Sequence, residues 1–279
     1  MLLRFFVWLS LVTAAVVCLL TGAFESYMWL WLMPSVAVGV LIVLILAIAA
    51  YVLLLAALVK RDQEQDGEAP HYRKVAEVVI ESLVPAVRIG VKTKGLEKVP
   101  EGRFVLMCNH VNDLDPVPIL FALPHRQLAF VAKREVRDLF FVGPFLQKLQ
   151  GQFINRENDR EALKTILRCI QMLKEDKASI AVFPEGRIHD DRKFHRFRPG
   201  VFKIAQKAKV PIVVCTLKNT RYMIHNLKRL KRTDTELSVL TVIYPEDYEG
   251  MTTTELAEQV YQMMAADLGP ENVAQEENT

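Results

Sequence analysis

Charge is missing from most of the first sixty residues. None falls between Phe5 and Phe24, Glu25 stands alone, and none falls again between Ser26 and Val59. The first run has the length of one bilayer crossing, and the part of the second beyond Pro34 gives about 37 Å of helix. Tyr27, Trp29 and Trp31 cluster just after Glu25, as interfacial aromatics do. Residues 1–60 are therefore expected to be two transmembrane helices joined by a very short external loop. The alternative is a cleaved signal peptide ending at Thr21-Gly22-Ala23, but Arg4 alone makes a thin basic region and the apolar run is long for that role. Arg4 precedes the first span and Lys60-Arg61 follow the second. The positive-inside rule puts both ends, and the rest of the chain, on the cytoplasmic face of the cell membrane.

Cysteine is also scarce. Of four, Cys18 lies in an apolar run, leaving Cys108, Cys169 and Cys215, an odd number without metal-ligand spacing. Reduced thiols in a reducing compartment are the simplest account, and no zinc or iron–sulfur site is implied. No internal repeat is visible. The formal charge of +3 understates local basicity, because acidic residues concentrate in a linker (61–70) and in a polar tail (269–279) expected to be disordered.

Between them, 71–268 alternates strands with helices. Tyr72–Val84 carries Val75, Val78, Val79 and Leu83 at helical spacing and reads as an amphipathic helix near the bilayer. Strands are expected at Ile89–Lys94, Phe104–Met107, Leu128–Ala132, Gln152–Asn155, Ile180–Phe183, Ile212–Leu217 and Leu237–Tyr244. Val136–Leu149 is apolar enough for a buried or membrane-facing helix that Gly143-Pro144 interrupts. A stronger helix starts at Asn158, with Glu161 placed for a capping box and Leu163, Ile166, Leu167, Ile170 and Leu173 on one face. Further helices are expected over Phe202–Ala208 and Thr254–Leu268. Short β-branched runs between helices predict an α/β domain with a mostly parallel sheet flanked by helices.

Chemistry concentrates at Asn109-His110-Val111-Asn112-Asp113-Leu114-Asp115-Pro116, where an apolar run ends in an imidazole and a carboxylate follows five residues later. His110 has the unperturbed pKa for proton transfer near neutrality. Asp115, folded back onto it, would fix the tautomer and stabilise the imidazolium. Pro116 and Pro118 discourage a regular helix directly behind, favouring a tight turn. Three more stretches follow in order: Gly151-Gln152-Phe153-Ile154-Asn155-Arg156, Phe183-Pro184-Glu185-Gly186 and Val210-Pro211-Ile212-Val213. Together the four resemble the glycerolipid acyltransferase family, typified by 1-acyl-glycerol-3-phosphate acyltransferases. Its pattern runs Asn-His-x-x-x-x-Asp, Gly-x-x-Phe-Ile-x-Arg, Phe-Pro-Glu-Gly-Thr-Arg and Val-Pro-Ile.

The resemblance implies direct acyl transfer from a thioester to an alcohol in a ternary complex, with His110 as general base oriented by Asp115. No cofactor is implied. Acyl-coenzyme A or acyl carrier protein is the co-substrate, and a lysophospholipid in the membrane is the acceptor. Arg156 is expected to grip the acceptor's phosphate. The family assigns Glu185 to the acceptor, through a hydroxyl or a basic neighbour, and Gly186 permits close backbone approach. Lys133, at a strand end, is a further phosphate-contact candidate. The chain departs from the pattern after Gly186, where Arg187 stands for Thr and Ile188 for Arg, so Arg187 is the expected substitute. Asn112 stands where Ser is common.

Two basic regions remain, Arg187–Arg198 and Arg221–Arg232, the second with Tyr222, Met223, Ile224 and Leu227 interleaved. Beside two membrane spans, anionic headgroups are a more economical partner than nucleic acid. Two other readings compete with catalysis: an idle lipid-binding or scaffolding member, against which both His110 and Asp115 argue, and a His/Asp metallohydrolase, for which Asp113 is the only obvious extra ligand.

Overall fold

Val105, Leu106 and Met107 are buried on both sides, which is why so short and apolar a run becomes the centre of a sheet. The computed structural model describes residues 2–60, 67 and 69–275. Most of the acidic linker thus lies outside the described residues. The strands are β1 (Ile89–Lys94), β2 (Val105–Met107), β3 (Leu128–Lys133), β4 (Gln152–Ile154), β5 (Ser179–Val182), β6 (Ile212–Lys218) and β7 (Thr233–Ile243). They form one seven-stranded sheet in the order β1-β7-β6-β2-β5-β3-β4. Every pairing is parallel except β6 with β7. The mostly parallel α/β architecture expected from the sequence is the one observed.

Helices α1 (Leu2–Leu20) and α2 (Trp29–Ala57) are long and apolar enough to cross a membrane. They pack on each other, and only Ala37, Leu55 and Ala56 of α2 are buried. Next come α3 (Pro70–Ala86), α4 (Pro116–Ala122), α5 (Val142–Lys148), α6 (Asp159–Lys174), α7 (Lys203–Ala208), α8 (Met223–Lys228) and α9 (Thr253–Leu268). Alternation along the strands sorts the core into two layers. Val105, Met107, Ile180, Val182, Ile212 and Val214 face α6, α7 and α9, while Leu106, Cys108, Ala181, Val213 and Cys215 face Ile119 and Leu123 at α4.

Several elements differ from expectation. The helix behind Asp115 forms after all: Pro116 is its first residue, where a missing N–H costs nothing and φ is already helical. Gly143-Pro144 likewise opens α5 instead of interrupting it. Helix α3 turns Val84 and Ile80, not Leu83 or Val75, toward a cluster with Ile89 and Met223, so one face of it packs on the domain. Asn158 caps α6 by accepting from the N–H groups of Arg160 and Glu161. The Glu161 carboxylate accepts from Asn155 Nδ2 at 2.8 Å instead of closing a capping box. The tail, expected to be disordered from 269, runs beside Phe194, whose N–H donates to Asn272 O and whose carbonyl accepts from Ala274. Its last four residues lie outside the described ones.

Candidate active site

Three of the four motif stretches reach the C-terminal end of the sheet, whereas Val210–Val213 enters β6 at the opposite end, Ile212 pairing with Val105 at the start of β2. The loops after β2, β5 and β6 open at the C-terminal ends of neighbouring strands, where α/β folds place ligand contacts. Asn109 ties the first loop to β6: its Nδ2 donates to Leu217 O at 2.9 Å and its Oδ1 accepts from Leu217 N at 2.7 Å. Asn112 repeats the device, with Nδ2 donating to Thr220 O at 3.0 Å. These two asparagines hold the backbone on either side of His110.

The His110 and Asp115 side chains meet as the sequence predicts. Nδ1 lies 3.0 Å from Asp115 Oδ2, with side-chain exposures of 16% and 0%. The same oxygen accepts from the N–H groups of Val111 and Asn112, each at 2.8 Å. A carboxylate can only accept, so the Nδ1 proton stays on the ring and Nε2 is left as the basic atom. The imidazole stacks on Phe183, centroids 4.1 Å apart and planes 14° from parallel. The ring is thus fixed by a hydrogen bond at its edge and by a second ring on its face.

Glu185 occupies a different place from the one its family assignment suggests. The side chain is buried. Oε1 accepts from His110 N at 2.7 Å and Oε2 from His195 N at 2.9 Å. Its carboxylate therefore bridges two loops and faces protein rather than a ligand. Burial is the largest influence on it and pushes its carboxyl up to about 8; the two N–H bonds pull the other way, and Asp115 and Asp191 add to the rise.

Cations gather beside this core. Lys133 and Ile154 are register partners at the ends of β3 and β4, so Lys133 and Arg156 leave adjacent strands. Arg156 is half-buried, and its pKa is held below the usual arginine range, first by burial and then by the Arg198 guanidinium, against the pull of Glu135. Gly151 is required because a Cβ there would collide with the Leu146 side chain. Arg187, the expected replacement for the motif arginine, is exposed, and Asp113 is exposed on its loop. Among the described residues no three His, Cys, Asp or Glu side chains cluster as metal ligands would. Cys108, directly before the loop, is buried and its thiol is pushed well above the usual range, chiefly by burial, so it is no ready nucleophile.

Three contributors escaped the sequence reading. Arg192 Nη1 donates to Val111 O at 3.1 Å, steadying the residue after His110. His195 supplies the second N–H on Glu185. Arg198 lays its side chain across Gly186. All three lie in a basic run that looked like a charged surface, and no local pattern separates them from their neighbours.

Residues 90–218 match the family model described as Acyltransferase. A protein named probable 1-acyl-sn-glycerol-3-phosphate acyltransferase from Mycoplasma pneumoniae is 29% identical over 50% of this chain and 53% of its own length. The 1-acyl-sn-glycerol-3-phosphate acyltransferase of Haemophilus influenzae is 30% identical over 54% of this chain and 60% of its own. The alpha form from Homo sapiens is 25% identical over 74% of this chain and 72% of its own. The chain thus spans little more than half the length of the two bacterial relatives. The crystal structure of the 1-acyl-sn-glycerophosphate (LPA) acyltransferase PlsC from Thermotoga maritima shares the fold, with a TM-score of 0.59 and 23% identity over 78% of this chain and 86% of that one. Over residues 90–218 the chain thus matches the Acyltransferase family model, and it is similar to proteins named 1-acyl-sn-glycerol-3-phosphate acyltransferase.

Proposed function

We propose that this protein is a membrane-bound acyltransferase. It transfers a fatty acyl group from a thioester to the sn-2 hydroxyl of 1-acyl-glycerol-3-phosphate, giving phosphatidic acid. The observation that carries this reading is the 3.0 Å contact between His110 Nδ1 and buried Asp115 Oδ2, in the loop at the C-terminal end of β2. Nε2 takes the proton of the sn-2 hydroxyl as its oxygen bonds to the thioester carbon. The tetrahedral intermediate collapses, the C–S bond breaks, and sulfur leaves with the electron pair. A thiol pKa near ~8.5 makes that departure easy. The imidazolium, stabilised by Asp115, returns its proton to the thiolate, and the products are the ester and free thiol. The donor is acyl-coenzyme A or acyl carrier protein, and Arg156, with Lys133 nearby, holds the acceptor's phosphate.

The membrane supplies the acceptor. Helices α1 and α2 anchor the chain, with Arg4 and Lys60 on the cytoplasmic side. Leu139, Phe140, Phe141 and Val142 are 52%, 58%, 53% and 36% exposed, an apolar run suited to the bilayer surface. Its helix α5 is tied to the end of α2, since Gln147 Nε2 donates to Lys60 O at 3.0 Å. The test uses full-length protein in mixed micelles with radiolabelled acyl-coenzyme A and a panel of acceptors, beside His110→Ala. Label in phosphatidic acid that vanishes with the variant is the expected result. Label in another lysophospholipid or in glycerol-3-phosphate would move the acceptor assignment. No transfer from either thioester class would bring the scaffolding reading forward.

A further inference from the structure

Ile188 stands where the acyltransferase pattern carries an arginine; Arg187 and Arg198 are both exposed, but it is Arg198 whose side chain lies against Gly186. The Arg198 N–H donates to Pro184 O at 2.9 Å, which fixes its backbone beside the Phe183–Gly186 segment. Its side chain then crosses Gly186, so closely that a Cβ there would stand 2.9 Å from both Cδ and Nε. Gly186, at φ +82°, thus leaves both the backbone conformation and the space that Arg198 uses. Neighbouring arginines are differently engaged: Arg196 pairs with Glu258 and Arg192 with a carbonyl. Among the described residues neither Arg156 nor Arg198 forms an ion pair through its side chain. The Arg198 guanidinium acts on Arg156 more strongly than Glu135, which pulls the other way, and an anion would stabilise two such cations.

Resting on the acyl-transfer reading above, we propose that Arg198 binds the acceptor's phosphate monoester together with Arg156, and so selects phosphate-bearing acceptors in place of the arginine that Ile188 replaces. A phosphate of the donor has the same chemistry, but the geometry favours the acceptor. The segment under Arg198 also touches His110, through the Phe183 ring and the Glu185 carboxylate. In 1-acyl-glycerol-3-phosphate the phosphate sits one carbon from the carbon bearing the reacting hydroxyl. The phosphates of coenzyme A lie a whole pantetheine arm from the thioester.

The test compares wild type, Arg198→Ala and Arg198→Lys as full chains in mixed micelles, with KM and kcat determined separately for acceptor and donor. Losing one charge-assisted contact should raise the acceptor KM about 10–100-fold in Arg198→Ala. The donor KM and the thermal midpoint should hold, and Arg198→Lys should recover part of the loss. An unchanged acceptor KM, a rise confined to the donor KM, or a fall in kcat alone would overturn the proposal. Binding of glycerol-3-phosphate by calorimetry tests it independently of turnover. If wild type fails to acylate lysophosphatidate yet binds glycerol-3-phosphate and Arg198→Ala does not, the reaction assignment falls and the anion site stands. If both proteins bind it equally, the site itself is refuted.

Discussion

Glu185→Gln should reverse the order of stability of variant and wild type as pH rises. Burial holds the carboxyl near 8 against an ordinary 4.5. Between those values the folded protein keeps a proton that the unfolded chain has released. Its contribution is therefore fully present below pH 4.5 and is lost as pH climbs through 8. At 1.36 kcal/mol per unit, the loss is about 5 kcal/mol by the upper end. Glutamine does not titrate, so it removes this slope. It introduces a constant defect instead: of the two N–H groups from His110 and His195, one would face the amide NH2. An unsatisfied buried donor costs about 1–3 kcal/mol. Below pH 5 the wild type should therefore be the more stable by roughly that amount. Near pH 6 the curves should cross, and by pH 8 the variant should lead by about 2–4 kcal/mol. Thermal unfolding of the full chain in mixed micelles, followed by circular dichroism from pH 4.5 to 8.5, reads this as a change of several degrees in the difference between the two midpoints. Other titrating groups cancel in that difference. Parallel midpoints across the range would refute a buried, proton-holding Glu185.

Asp115→Asn can keep its oxygen where Oδ2 stands, with the amide nitrogen at the partnerless Oδ1 position, so the loop survives while the negative charge goes. In the acyl-transfer assay kcat should fall about 10²–10⁴-fold, and a wild-type rate would reduce Asp115 to a loop anchor. Neutralising Lys228, Arg229 and Lys231 should weaken activity on anionic vesicles by about 1 kcal/mol per residue and blunt its salt dependence. Arg232, paired with Asp234, should matter less, and equal activity on anionic and neutral vesicles would remove the role. Gly186→Ala should lower stability by about 1–2 kcal/mol through its positive φ and displace Arg198. A variant with unchanged midpoint and acceptor KM would contradict both.

Strand positions were readable because buried parallel strands are short β-branched runs between helices. Ile180–Phe183 was displaced by one residue from the observed β5, and Ile89–Lys94 matched β1. The dyad was readable because both partners lie in one short loop, so spacing alone limits their distance. Strand order was not, since which runs become neighbours is decided by packing across the sheet, and the antiparallel β6–β7 pair carries no local mark. Arg198 was hidden for a related reason. It returns to Gly186 through a loop whose path depends on Phe194 and Phe202 being buried in the core, and that path has no periodicity to read. The inward aim of Glu185 follows from two backbone donors brought by separate loops, which no residue pattern announces. The helix behind Asp115 was misjudged because proline forbids a helix interior but suits a helix start.

Tyr72 Oη donates to Leu55 O at 3.0 Å, and Gln147 joins Lys60 in the same way. Bonds from α3 and α5 therefore tie the domain to the last turn of α2 and to the residues just after it. With α2 in a bilayer, as proposed, an enzyme so tied searches in two dimensions for an acceptor dissolved in lipid. Its rate then answers to the mole fraction of acceptor in the surface rather than to bulk molarity, and the composition of the surrounding bilayer becomes part of its kinetics.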